Sequence, residues 1–162
     1  MRKTVYLSLG SNIGDCAANL NAAIESLRAL GEVTAVSSFY DTEPVEFTRQ
    51  AWFLNCAVKL ETDKLPKQLL AALLRIERDM GRKRVVSKGP RVIDLDILLF
   101  GSSIIGTPQL TVPHPAMHER RFVLEPLAEI APDARHPVFK KTIRELRDAL
   151  PAGQAVKKVA NR

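Results

Sequence analysis

Apolar residues recur along this chain with two periods, and the switches between them divide it into elements. Thr4 to Leu9 is a short β-prone run closed by Gly10-Ser11-Asn12. Asp15 supplies an N-cap, and Ala17, Leu20, Ile24, Leu27 and Leu30 then fall on one helical face until Gly31 ends the pattern. Val33 to Tyr40 reads as a second strand. Phe53 to Glu61 reads as a third, with Leu54, Cys56, Val58 and Leu60 on one face and Phe53, Asn55 and Ala57 on the other. Pro66 suits the first turn of a second helix, with Leu69, Leu70, Leu73, Ile76 and Met80 inward and Gly81 at its end. Val92 to Phe100, between Gly89-Pro90 and Gly101, is a fourth strand.

The order β-α-β-β-α-β predicts an α+β fold: a ferredoxin-like sheet with both helices on one face and the other face open. A C-terminal extension follows, with a short strand pair near Ile104-Ile105 and Leu110 to Val112, a helical stretch from Ala116, and a last helix from Thr142 to Leu150. Pro108, Pro113, Pro115, Pro126, Pro132 and Pro137 divide it. The residues from Pro151 are expected to be loosely held. The length of 162 residues fits one domain over 1–162.

Four features of composition change the picture. No apolar run approaches the 18 residues of a membrane span, and the N-terminus lacks the pattern of a signal peptide, so the expected location is the cytoplasm without a membrane partner. Cys16 and Cys56 have no metal-ligand spacing and read as reduced, part-buried thiols. Net charge is +6, which points to anionic partners. That charge is concentrated: Arg75, Arg78, Arg82, Lys83, Arg84, Lys88 and Arg91 face only Glu77 and Asp79 in the same stretch.

This cationic stretch runs into Asp94-Leu95-Asp96, which carries the most chemistry in the sequence. Alternation along a strand puts both carboxylates on one side, roughly 6.5 Å apart along the backbone. Two carboxylates in an apolar run repel and desolvate each other, so they favour a shared cation, and hard oxygen donors suit Mg²⁺ beside phosphates. The plainer reading is a solvated outer face. Arg82 and Arg91 can fork onto phosphate oxygens or lie on a solvated face. Asn55 can recognise a heterocycle edge or satisfy a neighbouring backbone group. His114, in the stiff Val112-Pro113-His114-Pro115 turn, can donate to a phosphate or serve structure alone. Phe122 can stack on a planar ring or pack in the core. There is no P-loop.

With these residues in view, the chain resembles the 6-hydroxymethyl-7,8-dihydropterin pyrophosphokinase family of folate biosynthesis. The matching blocks are Leu7 to Asn12, Ser37 to Thr42, Phe53-Leu54-Asn55, Ile76 to Arg82, Gly89 to Gly101, Val112 to Pro115 and Glu119 to Leu124. The resemblance implies transfer of pyrophosphate from ATP to the hydroxymethyl group of a reduced pterin, releasing AMP. It implies two Mg²⁺ ions on Asp94 and Asp96, and catalytic arginines at Arg82 and Arg91. ATP contacts are implied at Glu77, Arg82, Arg91, Ile97, His114 and Arg120. Pterin contacts are implied at Thr42, Val45, Phe53, Asn55, Asp94 and Phe122. Lys88, Glu43, Glu46 and Pro115 depart from the family pattern. The partners expected are ATP and the pterin, with no nucleic acid, acting on a monomer. The rival reading is an RNA-binding module of the same topology. With 6% aromatic residues and two aspartates on the exposed face, the chain lacks its stacking platform.

Overall fold

The computed structural model describes residues 1–43, 51–81 and 91–159. Its centre is an antiparallel sheet built on β1 (Lys3–Ser11). β1 lies between β4 (Phe53–Thr62) and β5 (Asp94–Phe100). On the far side of β4 lie β2 (Glu32–Val36) and β3 (Tyr40–Thr42), and β8 (Val156–Lys158) pairs with β3 at the edge. A small hairpin, β6 (Ile105–Gly106) with β7 (Thr111–Val112), stands apart, where the sequence places a strand pair.

Strand alternation sorts the core into two layers. Val5, Leu7, Leu9, Leu54, Cys56, Val58, Leu60, Leu95 and Ile97 face α1 (Cys16–Leu27) and α2 (Pro66–Asp79), and all are buried. The two helices expected on one face are therefore there. The opposite face, expected to be open, is covered along part of its length. Ala57 and Leu98 pack against Val123, Leu124 and Leu127 of α3 (Arg121–Ile130) and Ile143 and Leu146 of α4 (Ile143–Asp148). The tail carries enough apolar surface for a second layer, and an uncovered apolar sheet face is the natural place to bury it.

Local chemistry sets the boundaries. Asp15 accepts the Ala18 N–H at 3.1 Å, as a cap should. Gly31 lets the chain pass close to β4: a Cβ there would lie 2.2 Å from the Glu61 carbonyl oxygen. Thr142 and Glu145 form a capping box on α4.

Three expectations need correction. The single strand from Val33 to Tyr40 is two, because at Ser37 a side chain takes over the ladder. Its N–H donates to the Ala57 carbonyl at 2.9 Å and its Oγ accepts the Ala57 N–H at 2.9 Å. Pro126 does not end a segment but lies inside α3. The described residues after Pro151, as far as Val159, are held: β8 gives β3 a second partner, and Val159 N–H donates to Phe39 O at 2.8 Å. An exposed strand edge supplies hydrogen-bonding groups that the tail's own composition does not reveal.

Candidate active site

Cross-strand register assembles the site. Asp94 lies opposite Gly10, Gly10 opposite Asn55, and Asn55 opposite Tyr40. In the next row on the same face, Asp96 lies opposite Ser8, and Ser8 opposite Ala57. Directly opposed residues of antiparallel strands project to the same side. Asp94, Asp96, Asn55, Phe53 and Thr42 therefore share one face, the same face that α3 and α4 cover further along.

Gly10 makes the first row possible. A Cβ there would lie 2.6 Å from Asn55 Nδ2 and 3.5 Å from Phe53 Cδ1. The buried Asn55 amide lies across the bare backbone and donates from Nδ2 to the Leu9 carbonyl at 3.3 Å. Its Oδ1 accepts a short hydrogen bond from the Thr42 hydroxyl. The amide thus satisfies its surroundings, and these two bonds use one Nδ2 hydrogen and one Oδ1 lone pair.

A β-bulge in β5, at the register shift opposite Tyr6 and Leu7, leaves Leu98 without a β1 partner. The Leu98 carbonyl accepts the His114 N–H at 3.0 Å, which fixes His114 beside the carboxylates. His114 Nδ1 accepts the Ala116 N–H at 3.2 Å, so the ring proton belongs on Nε2. Burial, with the Arg120 charge, lowers the His114 pKa to about 4. At neutral pH it is an uncharged donor.

The carboxylates sit among charges of both signs. Burial first, and then the Asp94 charge, push the Asp96 carboxyl up to about 7; Glu77 adds to this, while Arg120 and Arg91 oppose it. Arg91 reaches Asp94 Oδ1 from its guanidinium at 3.4 Å. Arg120 lies over the Phe122 ring, 5.4 Å from its centroid. Glu77, buried on α2, accepts the Leu95 N–H at 2.7 Å, between the two aspartates on the outer edge of β5.

The structure thus gathers Asp94, Asp96, Glu77, Arg91, His114 and Arg120 at one end of the sheet, with Thr42, Phe53 and Asn55 across Gly10. Ile97 is not among them: it is on the opposite pleat, buried in the layer under α1 and α2. Arg82 and Val45 lie outside the described residues. The sequence reading missed Asn12, taken only as part of a turn. Buried at the end of β1, it accepts the Arg91 N–H on Oδ1 at 2.7 Å and donates from Nδ2 to the Ala51 carbonyl at 3.1 Å. The only signal was its place in the Leu7 to Asn12 block.

Among the described residues no group of three or more His, Cys, Asp or Glu is arranged to hold a metal by itself. Two carboxylates suit instead a hard cation that takes its other ligands from water and phosphate.

Comparison with known proteins decides the family. The profile of 7,8-dihydro-6-hydroxymethylpterin-pyrophosphokinase (HPPK) matches residues 6–132. The chain belongs to the HPPK family. It is 52% identical over 132 residues to the 2-amino-4-hydroxy-6-hydroxymethyldihydropteridine pyrophosphokinase of Bacillus subtilis, covering 80% of this chain and 79% of that one. It is 41% identical over 144 residues to the protein of the same name from Aquifex aeolicus, covering 89% and 90%. A solved HPPK-DHPS of Plasmodium falciparum with pteroate shares the fold at TM-score 0.75 and 18% identity. That match covers 91% of this chain and 42% of the larger one. Within the HPPK match lie both aspartates, the Gly10 row, His114 and Phe122. The tail from residue 133 lies beyond it.

Proposed function

We propose that this chain transfers pyrophosphate from ATP to the hydroxymethyl group of 6-hydroxymethyl-7,8-dihydropterin, releasing AMP, on a magnesium site formed by Asp94 and Asp96. The observation that carries the reading is the cross-strand row: a carboxylate at one end and a heterocycle-competent amide at the other, joined through a glycine. Strand spacing puts the Asp94 and Asn55 backbones about 10 Å apart, room for a phosphate chain beside a bicyclic ring.

Residues 1–162 are read as one domain, with β5-β1-β4 and the β2–β3 edge as a ferredoxin-like sheet and α3, α4 and β8 as its extension. Arg91 and Arg120 supply fixed charge to phosphate oxygens. His114 donates to an anion from Nε2 without exchanging protons near neutral pH. Asn55 offers a donor and an acceptor to the pterin edge, with Thr42 holding the amide in its orientation, and Phe53 and Phe122 supply apolar ring faces. Glu77 holds the strand on which both aspartates stand and adds negative charge behind them, which favours a divalent ion. Two magnesium ions held there would neutralise phosphate charge and lower the pKa of a bound hydroxyl. Arg82, by its family resemblance, adds a third arginine to the phosphates.

The test is nucleotide analysis with ATP and Mg²⁺, with and without the pterin, beside an Asp94→Ala/Asp96→Ala variant. Pterin-dependent AMP that disappears in the variant supports the reading. ADP as the product, or AMP formation untouched by the double substitution, refutes it.

A further inference from the structure

We infer that the C-terminal segment from Pro151 to Val159 is a strap that positions the pterin side of the site, with Glu43 as its main anchor; this rests on the pterin reading of Thr42, Asn55 and Phe122. The segment touches both walls. At its start, Arg121 donates to the Pro151 carbonyl at 3.1 Å and the Leu150 carbonyl at 3.5 Å. Arg121 also pairs with Glu125 at 3.1 Å, so it faces the tail while its neighbours Arg120 and Phe122 belong to the site.

Two residues past Gly153 the chain reaches β3. Glu43 N–H donates to the Ala155 carbonyl at 3.0 Å, and Glu43 Oε1 accepts the Ala155 N–H at 3.0 Å. The Gln154 side chain donates to the Glu43 carbonyl. β8 then runs along β3 with Val156 opposite Thr42. Lys157 lies over Trp52, 6.0 Å from the ring centroid, next to Phe53. Lys158 approaches Glu129 of α3 at 3.9 Å.

Thr42 therefore stands on a three-residue strand held between β4 and β8, and its hydroxyl sets the Asn55 amide. A strand this short is marginal as an edge. Paired on both sides, it holds Thr42 at a fixed distance from the helix that carries Phe122. Glu43, which departs from the family pattern, here has a partner in a segment beyond the HPPK match.

The test compares KM for pterin and for ATP in the wild type, Glu43→Ala, Glu43→Gln and a chain ending at residue 153, with circular dichroism to confirm folding. In the shortened chain, pterin KM is expected to rise about tenfold, while ATP KM stays within about twofold. Glu43→Ala moves pterin KM the same way, by about threefold, and Glu43→Gln restores it because its amide oxygen still accepts the Ala155 N–H. An unchanged pterin KM in the folded shortened chain overturns the inference, as does an equal rise in both KM values. If the shortened chain does not fold, Glu43→Ala decides alone, and an unchanged pterin KM overturns it. A wild type that forms no AMP overturns the functional reading and this inference together, and is recognised by appearing without any substitution.

Discussion

Asn12 and Arg91 are joined by two hydrogen bonds: Asn12 N–H donates to the Arg91 carbonyl at 2.9 Å, and Arg91 N–H donates to Asn12 Oδ1 at 2.7 Å. A third bond, from Asn12 Nδ2 to Ala51, ties the same side chain to the residues just before Phe53. One asparagine thus holds the backbone of Arg91 and the chain entering β4. Asn12→Ala removes both side-chain bonds, which lowers stability by about 1–3 kcal/mol in urea unfolding. It is also expected to lower kcat/KM by about a further tenfold after correction for folded fraction, because Arg91 loses its register. A loss of activity no larger than the loss of folded protein would remove Asn12 from the site.

Gly10 is where the backbone itself must stay bare. Gly10→Ala puts a methyl 2.6 Å from Asn55 Nδ2, and the amide has to turn away from its Leu9 and Thr42 partners. Pterin affinity measured by calorimetry is expected to fall at least about tenfold, with nucleotide affinity nearly unchanged. Equal loss of both affinities would mean that the sheet, not the amide, had been disturbed.

The raised Asp96 pKa gives the metal-free protein a pH dependence of definite sign. The folded state holds this proton to about pH 7, while the unfolded chain releases it near 3.8. Folding therefore takes up a proton between these values, and stability falls as pH rises through that window. The loss builds up across that window and is nearly complete by pH 8. Asp96→Asn should flatten the curve while abolishing pyrophosphoryl transfer, and Mg²⁺ should restore wild-type stability at pH 8. Thermal unfolding in chelator across pH 4–8 is the measurement, and stability that rises over the window would contradict the assignment.

Glu129 gives the opposite sign. Burial acts to raise its pKa, but the Tyr40 hydroxyl, the Ser38 N–H and Oγ, and Lys158 outweigh it, and the folded value lies below 4.5. Its contribution is present above that pH and is lost as pH falls through the lower folded value. Tyr40→Phe and Glu129→Gln are expected to couple by about 1 kcal/mol in a double-mutant cycle at pH 7. Coupling near zero would mean that the short Tyr40–Glu129 contact does not persist in solution.

Read from sequence alone, the strand carrying Asp94 and Asp96 is identified correctly because period-two alternation is local: each residue's face follows from its neighbours. The same holds for α1, with its Asp15 cap and one-sided leucines, and for α2, with Pro66 at its start. Glu77 was picked out by resemblance, but its bond to Leu95 was not visible, because it joins residues 18 apart on different elements. The Ile97 side chain, implied by resemblance at the nucleotide, lies on the core face, as alternation from Asp96 already says.

What the sequence by itself determined is most of the elements, though not the break between β2 and β3 or the strand β8, together with the carboxylate pair with its cationic neighbour, and the family. Those depend on short-range periodicity and on contiguous blocks of residues. Only the tertiary structure decided which side chains meet. Antiparallel register placed Asp94, Gly10 and Asn55 in one row, a bulge at Leu98 turned a carbonyl toward His114, and the free edge of β3 captured the tail as β8. Each of these comes from backbone pairing between distant segments, and backbone groups are the same in every residue except proline. The sequence therefore carries no local mark of them.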